Sequence, residues 1–320
     1  MTETDPSGPA WLPGNWATTI LPSGHGFSLA ETCGPVAWAA GRWPDLDWRD
    51  GCLIRVSFDA DGSTVPIVAW PVANSDTLAV AAPVPHAVDL IAPIVNTDRV
   101  APDWDDPVIA ALADRFPGLR PFAHGSVYLG LVTSIVGQSI SVASAATTQR
   151  RLAALLSDAV EIARRPFWPL PAAERLATAT VEQVRTSGVT WRRAESLVTI
   201  ARIAAGGRLP DRRPDWATLP TDARLALLRE LPLVGPWTAR SSLLWGVADD
   251  AVWPSGDVAL LRAARLAYHD PTLDMRGLTR LAEGWGPAPG WATRLLWAGL
   301  FGAAPATMSP SWNGFVAALP

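Results

Sequence analysis

The sequence predicts an α+β protein, an N-terminal antiparallel β-sheet domain followed by an all-α domain. Three observations carry that expectation. Residues 17 to about 95 hold short β-branched runs separated by turn residues. From about residue 107 the apolar residues recur at helical spacing, with no further strand pattern. Between them lies Ala101-Pro-Asp-Trp-Asp-Asp-Pro107, a Pro/Asp-rich connector that reads as a domain boundary. The expected organisation is an irregular arm over 1–16, a β-rich domain over 17–106, and a helical domain over 107–320 with two lobes and a cleft near 237–257.

The elements follow in order. The arm is rich in Pro, Gly and Trp. Leu53-Ile-Arg-Val-Ser-Phe58 alternates, which predicts a strand, and Asp59-Ala-Asp-Gly62 is a turn signal. Residues 64–70 and 77–81 carry β-branched side chains between Pro, Asn and Ser breakers, and 84–95 reads as a helix. Residues 126–156 have a long apolar periodicity interrupted near Gly137-Gln138-Ser139. Helices are expected over 172–179, 181–187, 191–205 with Thr190 as cap, and 222–231 with Thr221 as cap. Others follow over 238–247, 258–268, 273–283 and 291–301. Leu231-Pro-Leu-Val-Gly-Pro-Trp-Thr-Ala239 joins two of them as a helical hairpin with a tight Pro/Gly turn.

The totals narrow the function classes. The chain has 320 residues, 49% hydrophobic and 18% charged, which describes a globular protein with a substantial core. No apolar span is long enough to cross a bilayer, and the first residues have no basic stretch leading into an apolar one. No membrane partner and a cytoplasmic, nucleoid-associated location are therefore expected. Cys33 and Cys52 are expected to be buried, reduced thiols, too few for a metal or iron–sulfur cluster. The four histidines (25, 86, 124, 269) show no metal spacing, and no nucleotide-binding glycine fingerprint is present.

Net charge is −4, but it is unevenly spread. Residues 1–114 hold 4 Arg against 15 acidic residues, net −11, whereas residues 115–320 hold 22 Arg against 15, net +7. The hairpin lies in the basic part, as phosphate binding requires. All 26 basic residues are arginine, so no lysine amine exists for a Schiff base.

In the hairpin, N–H groups of a glycine-containing turn leading into a helix N-terminus suit a phosphate oxygen. Gly235 permits close approach, Pro236 starts the next helix, and Arg240 adds a charge-assisted bond one turn in. About twenty residues on, Trp253-Pro-Ser-Gly-Asp257 sets a carboxylate at a helix start, where the helix dipole favours its ionised form.

These residues, Leu-Pro-x-x-Gly-x-x-Thr-Ala and then Trp-Pro-x-x-Asp, resemble the helix-hairpin-helix superfamily of DNA glycosylases. The surroundings look most like bacterial 3-methyladenine DNA glycosylase II. Ile135-Val-Gly-Gln-Ser-Ile-Ser-Val142, Pro169-Leu-Pro-x-x-Glu-Arg-Leu176 and Gly188-Val-Thr-Trp-Arg-Arg-Ala-Glu-Ser-Leu197 are similar to its other helices. The resemblance covers about 120–302 and implies a glycosylase that flips a damaged base from duplex DNA and hydrolyses its glycosidic bond in base excision repair. It implies Asp257 as the catalytic carboxylate. It places Trp237, Trp291, Tyr128, Gln138 and Ser241 at the base pocket, where aromatic faces bind cationic alkylated purines. Leu233, Gly235, Thr238 and Arg240 fall at the DNA backbone, and Ser139 or Ile140 at the wedge. Bifunctional members carry a lysine where Trp237 stands, so a monofunctional hydrolase acting as a monomer is expected. No cofactor is implied beyond a monovalent cation, Na or K, held by hairpin carbonyls. Three positions depart from the pattern: Leu233 replaces a glycine, Ser241 an aromatic, and Ser139 a bulky wedge. They leave open a glycosylase for oxidised, deaminated or etheno bases, and a non-catalytic binder of damaged DNA.

Overall fold

In the computed structural model the described residues are 8–39, 41–59 and 61–302, so the ends of the expected arm and of the expected helical domain, 1–7 and 303–320, lie outside them. The first region contains β1 (Ala17–Pro22), α1 (Leu29–Thr32), α2 (Gly34–Ala37), β2 (Leu46–Arg49), β3 (Cys52–Phe58), β4 (Thr64–Pro71), β5 (Thr77–Ala82) and α3 (Ala87–Val95). The five strands form one antiparallel sheet in the order β1-β5-β4-β3-β2. In register, Ile54 pairs with Val68, and Val68 with Ala81.

β3 alternates in sequence, yet Cys52 to Val56 are buried consecutively. Both faces of the sheet are covered. Leu53, Ile67, Leu78 and Val80 pack on Leu29, Val36, Ile91 and Ile94 from α1, α2 and α3. On the other face Ile54, Val56, Val68 and Trp70 meet Ile162 and Phe167, with Trp11 and Trp16 of the arm alongside. Arg55 is buried and ion-paired with the equally buried Asp45 at 2.6 Å. Desolvation raises the Asp45 carboxyl, and the Arg55 charge opposes that. Cys33 and Cys52 are free and buried.

The second region contains α4 (Pro107–Arg115), α5 (Val127–Gly137), α6 (Val142–Leu156), β6 (Val160–Ile162), β7 (Arg165–Phe167), α7 (Ala173–Thr178), α8 (Val181–Arg185) and α9 (Trp191–Ala205). It continues with α10 (Arg213–Ala217), α11 (Thr221–Arg229), α12 (Pro236–Val247), α13 (Val258–Ala267), α14 (Met275–Glu283) and α15 (Pro289–Phe301). The expectation of helices alone missed the β6–β7 hairpin, which returns Ile162 and Phe167 to the sheet. Thr221 is the first residue of α11 rather than its cap.

Helices α5 and α12 run antiparallel through the centre. Their backbones touch: a Cβ on Gly130 would stand 2.2 Å from the Ser242 carbonyl oxygen, and one on Gly246 would stand 2.8 Å from that of Ser126. Leu131, Ile135, Leu197, Leu243, Leu260 and Leu295 belong to the one apolar core that joins these helices to α9, α13 and α15. Each such buried side chain stabilises the fold by roughly 1.5–3 kcal/mol. The chain breaks between α5 and α6 at Gln138–Ser141, where Ser139 has φ 57° and Ser141 caps α6. No single described helix is long and apolar enough to cross a membrane; α5 and α6 qualify only as a pair bent by 120°.

Candidate active site

The hairpin is α11, a turn over 230–235, and α12. Leu233 in the turn has φ 63°, a left-handed conformation that costs a non-glycine residue about 1–2 kcal/mol. Gly235 caps α12 with extended backbone, no side chain among the described residues bonds the first-turn N–H groups, and nothing described lies within 4 Å of where its Cβ would stand. By contrast α4, α5, α6, α9, α13 and α14 are all capped by side-chain oxygens. The α12 N-terminus is thus open toward solvent, with its dipole intact. Arg240 is half-buried in its second turn. Desolvation lowers its guanidinium value, the neighbouring charge of Arg229 lowers it further, and Asp222 opposes both.

Asp257 caps α13. Its Oδ1 accepts the Leu260 N–H at 2.7 Å, and its Oδ2 accepts the Trp237 indole N–H at 3.1 Å. Burial raises the carboxyl above the ordinary range, while the Leu260 N–H, the Trp237 indole and the Ala259 N–H pull it back down. Asp257 is therefore a partly desolvated carboxylate whose two oxygens are each fixed by a donor. Beyond it the surface is open, with Val258 77% exposed.

Gln138 ties the break after α5 to the hairpin. Its side-chain amide donates to the Leu233 carbonyl at 3.1 Å and to Thr238 Oγ1 at 2.9 Å, while its own carbonyl accepts from Arg193 at 2.5 Å. Ser196 donates to the Pro232 carbonyl at 2.6 Å. The 138–141 turn, the hairpin turn and α9 therefore form one continuous surface. Ile140 projects from it at 40% exposed, beside Ser139. Trp191, at the start of α9, is 47% exposed with the Arg185 guanidinium 4.9 Å above its ring.

Of the residues placed at a base pocket, the structure brings Trp237 alone into contact with Asp257. Gln138 instead braces the hairpin. Trp291 is 2% exposed under the Arg99 guanidinium at 5.9 Å, next to Gly290, which donates to the Asp250 carbonyl. Arg99 also pairs with Asp250. Packed on all sides, Trp291 offers no free face to a base. Tyr128 sits ten residues before Gln138, about 15 Å back along α5, and its hydroxyl donates to the Pro171 carbonyl at 3.2 Å. It faces a separate cavity lined by His124, Glu174, Asp211 and Arg212. Ser241 is buried in α12. Sequence reasoning missed the roles of Arg193, Ser196 and Trp191, although all three lie in the quoted 188–197 run; the signal was an exposed tryptophan beside two arginines at a helix start. Among the described residues no group of three His, Cys, Asp or Glu could hold a metal ion.

This succession of a five-stranded antiparallel sheet and packed helices is a fold shared with solved DNA glycosylases. The chain is similar over 88% of its length, and 98% of the other, to the structure of 3-methyladenine DNA-glycosylase from Archaeoglobus fulgidus, with TM-score 0.70 and 20% identity. It is also similar, with TM-score 0.67 and 15% identity, to the 8-oxoguanine glycosylase/lyase of Clostridium acetobutylicum bound to double-stranded DNA, covering 88% of this chain and 97% of that one. In sequence it resembles DNA-3-methyladenine glycosylase of Bacillus subtilis (strain 168), 26% identical over 199 residues, 61% of this chain and 64% of that protein. It resembles DNA-3-methyladenine glycosylase 2 of Escherichia coli (strain K12), 30% identical over 183 residues, 57% and 60% respectively. The matched region thus spans less than two thirds of either relative. No family model matches the chain.

Proposed function

We propose that this protein is a monofunctional DNA glycosylase that excises alkylated purines of the 3-methyladenine type from double-stranded DNA. The observation that carries this reading is the Trp237–Asp257 hydrogen bond beside the open N-terminus of α12. A lysine there would supply an amine; the chain has none, and an indole N–H stands in its place, directed at the carboxylate.

Phosphate oxygens dock on the free N–H groups after Gly235, with Thr238 and Arg240 in the same turns. Ile140, held beside the hairpin by Gln138, fills the gap left by the flipped base; Ser139 is too small to do so. Trp191 and Arg192 extend this DNA face along α9. The indole of Trp237 offers its face to a cationic purine while its edge holds Asp257. As the C–N glycosidic bond breaks, positive charge develops on the sugar, and the fixed, water-poor carboxylate stabilises it. Asp257 then aligns and deprotonates the attacking water, so that a C–O bond replaces the C–N bond and the free base leaves with an abasic site behind. A monovalent cation held by hairpin carbonyls belongs to the same reading: the carbonyls of Leu231 and Leu233 each accept one hydrogen bond, from the Val234 N–H at 3.3 Å and from Gln138 at 3.1 Å, and each keeps a second lone pair.

The buried Ser241 and Trp291 leave aromatic stacking to Trp237, which favours a second reading in which the excised lesion is an etheno, deaminated or oxidised base. Duplexes carrying single defined lesions, incubated with wild type and Asp257→Asn and then treated with alkali, test both readings. Wild type is expected to yield abasic sites on alkylated duplexes, with the variant slower by about 10²- to 10⁴-fold. Cleavage of other lesions alone selects the second reading. No abasic site on any lesion overturns both, and strand breaks without alkali overturn the monofunctional assignment.

A further inference from the structure

A carboxylate that must meet a developing charge has to be held to within a few tenths of an ångström. The segment that carries Asp257 has little to hold it from outside. Gly256 has φ 92° with nothing within 4 Å of its Cβ position, and Val258 is almost fully exposed. Its anchors lie inside. Trp253 opens the loop, its carbonyl accepts the Ser255 N–H at 2.9 Å, and the Pro254 carbonyl accepts the Asp257 N–H at 3.0 Å. The Trp253 ring packs edge-on against Trp285, with centroids 6.0 Å apart and planes at 72°.

Trp285 is buried, and its indole N–H donates to the Tyr268 hydroxyl at 2.9 Å. Tyr268 donates in turn to Asp106 Oδ2 at 2.8 Å. Asp106 is itself fixed, because its Oδ1 accepts the Val108 and Ile109 N–H groups at 2.9 and 3.1 Å and so caps α4. Burial, then the bond to Asp106, pushes the Tyr268 hydroxyl well above the ordinary tyrosine range, so it remains a neutral donor and the direction of the chain is set. Tyr268 is also the C-cap of α13, the helix that Asp257 begins. Ten helical residues form a rod of about 15 Å, stiff on this scale. The network therefore reaches Asp257 twice, through Trp253 at the loop and through α13 from its far end. Its members come from four separate stretches of sequence, at 106, 253, 268 and 285, which no local turn requires.

We infer that Tyr268 and Trp285 are positioning residues for Asp257, holding the catalytic carboxylate in register from behind. This rests on the glycosylase reading, and the tests separate the two. In Tyr268→Phe and in Trp285→Phe, the amides of Ser255, Asp257 and Leu260 should exchange with deuterium about tenfold faster, while the hairpin amides over 234–239 keep their rates. Single-turnover excision should slow by about ten- to a hundredfold at unchanged duplex affinity. The acid limb of the pH profile should move to lower pH. Asp257 is raised by burial, and among the described residues its donors are Leu260, Trp237 and Ala259, with no charged side chain contributing. Water reaching a loosened carboxylate would therefore return it toward its ordinary range.

The control is Asp211→Ala, which removes the acceptor for the Ser126 hydroxyl and the Tyr128 N–H at the other end of α5. It should destabilise the protein without moving the acid limb or the loop exchange. Equal effects in the control and in Tyr268→Phe overturn the inference, as does unchanged exchange in both phenylalanine variants. Should Tyr268→Phe fail to fold, Trp285→Phe, which keeps an aromatic ring and the Tyr268–Asp106 bond while removing the indole N–H, carries the test alone. Faster loop exchange in a protein that excises no lesion would overturn the glycosylase reading and leave the anchoring intact. Normal excision with unchanged exchange would do the reverse.

Discussion

Trp237 and Asp257 are joined by a hydrogen bond that sets the state of the carboxylate. The indole N–H favours the ionised carboxylate, and burial disfavours it. Trp237→Phe removes the donor and keeps the burial, so the carboxyl rises further and activity is lost at a higher pH as the solution is acidified. A hydrogen bond to a charged group contributes about 1.5–3 kcal/mol, so turnover near neutral pH should fall by about ten- to a hundredfold. A pH–rate profile of wild type and variant checks both the size and the direction; an acid limb that stays in place would mean that the indole does not hold the carboxylate. Asp257 was legible in the sequence because a cap residue is set by its immediate neighbours. The buried state of Trp291 was not, because it depends on Arg99 and Asp250, which lie far from it in the chain.

At the scale of elements, the site depends on how closely α5 and α12 approach. That approach places Gln138 at hydrogen-bond distance from Leu233 and Thr238 and so brings the 138–141 turn beside the hairpin. Gly130→Ala would force a methyl group against a backbone carbonyl that cannot move aside. A loss of about 3 kcal/mol is expected, which lowers the melting temperature by on the order of 10 °C. Thermal unfolding followed by circular dichroism measures it, and a shift below about 2 °C would mean that the helices are further apart. The helices from α5 to α15 apart from α10, and the break after Gly137, were readable from periodicity and caps, whereas α4 and α10 were not. The β6–β7 hairpin was not, since strands of three residues are too short for a period to register.

At the scale of the whole molecule, the acidic first third and the basic remainder would orient the proposed enzyme on a polyanion. Arg240 stands near Arg229 in the hairpin, and a phosphate between them would relieve their repulsion. Arg240→Ala should weaken binding to damaged and undamaged duplexes alike and flatten the salt dependence by about one unit of log–log slope. An unchanged slope across salt concentrations would show that the side chain does not reach phosphate. The sequence by itself determined the order of sheet and helices, the hairpin, the capping carboxylate, the absence of a lysine amine and the separation of charge. All of these are written in local pattern or in counts. Only the tertiary structure decided that the sheet is buried on both faces, that Gln138 braces the hairpin, that Trp291 and Tyr128 are enclosed, and that Asp106, Tyr268 and Trp285 stand behind Asp257. Those arrangements come from contacts between residues distant in sequence, and the close packing that selects them leaves no periodic trace in the chain.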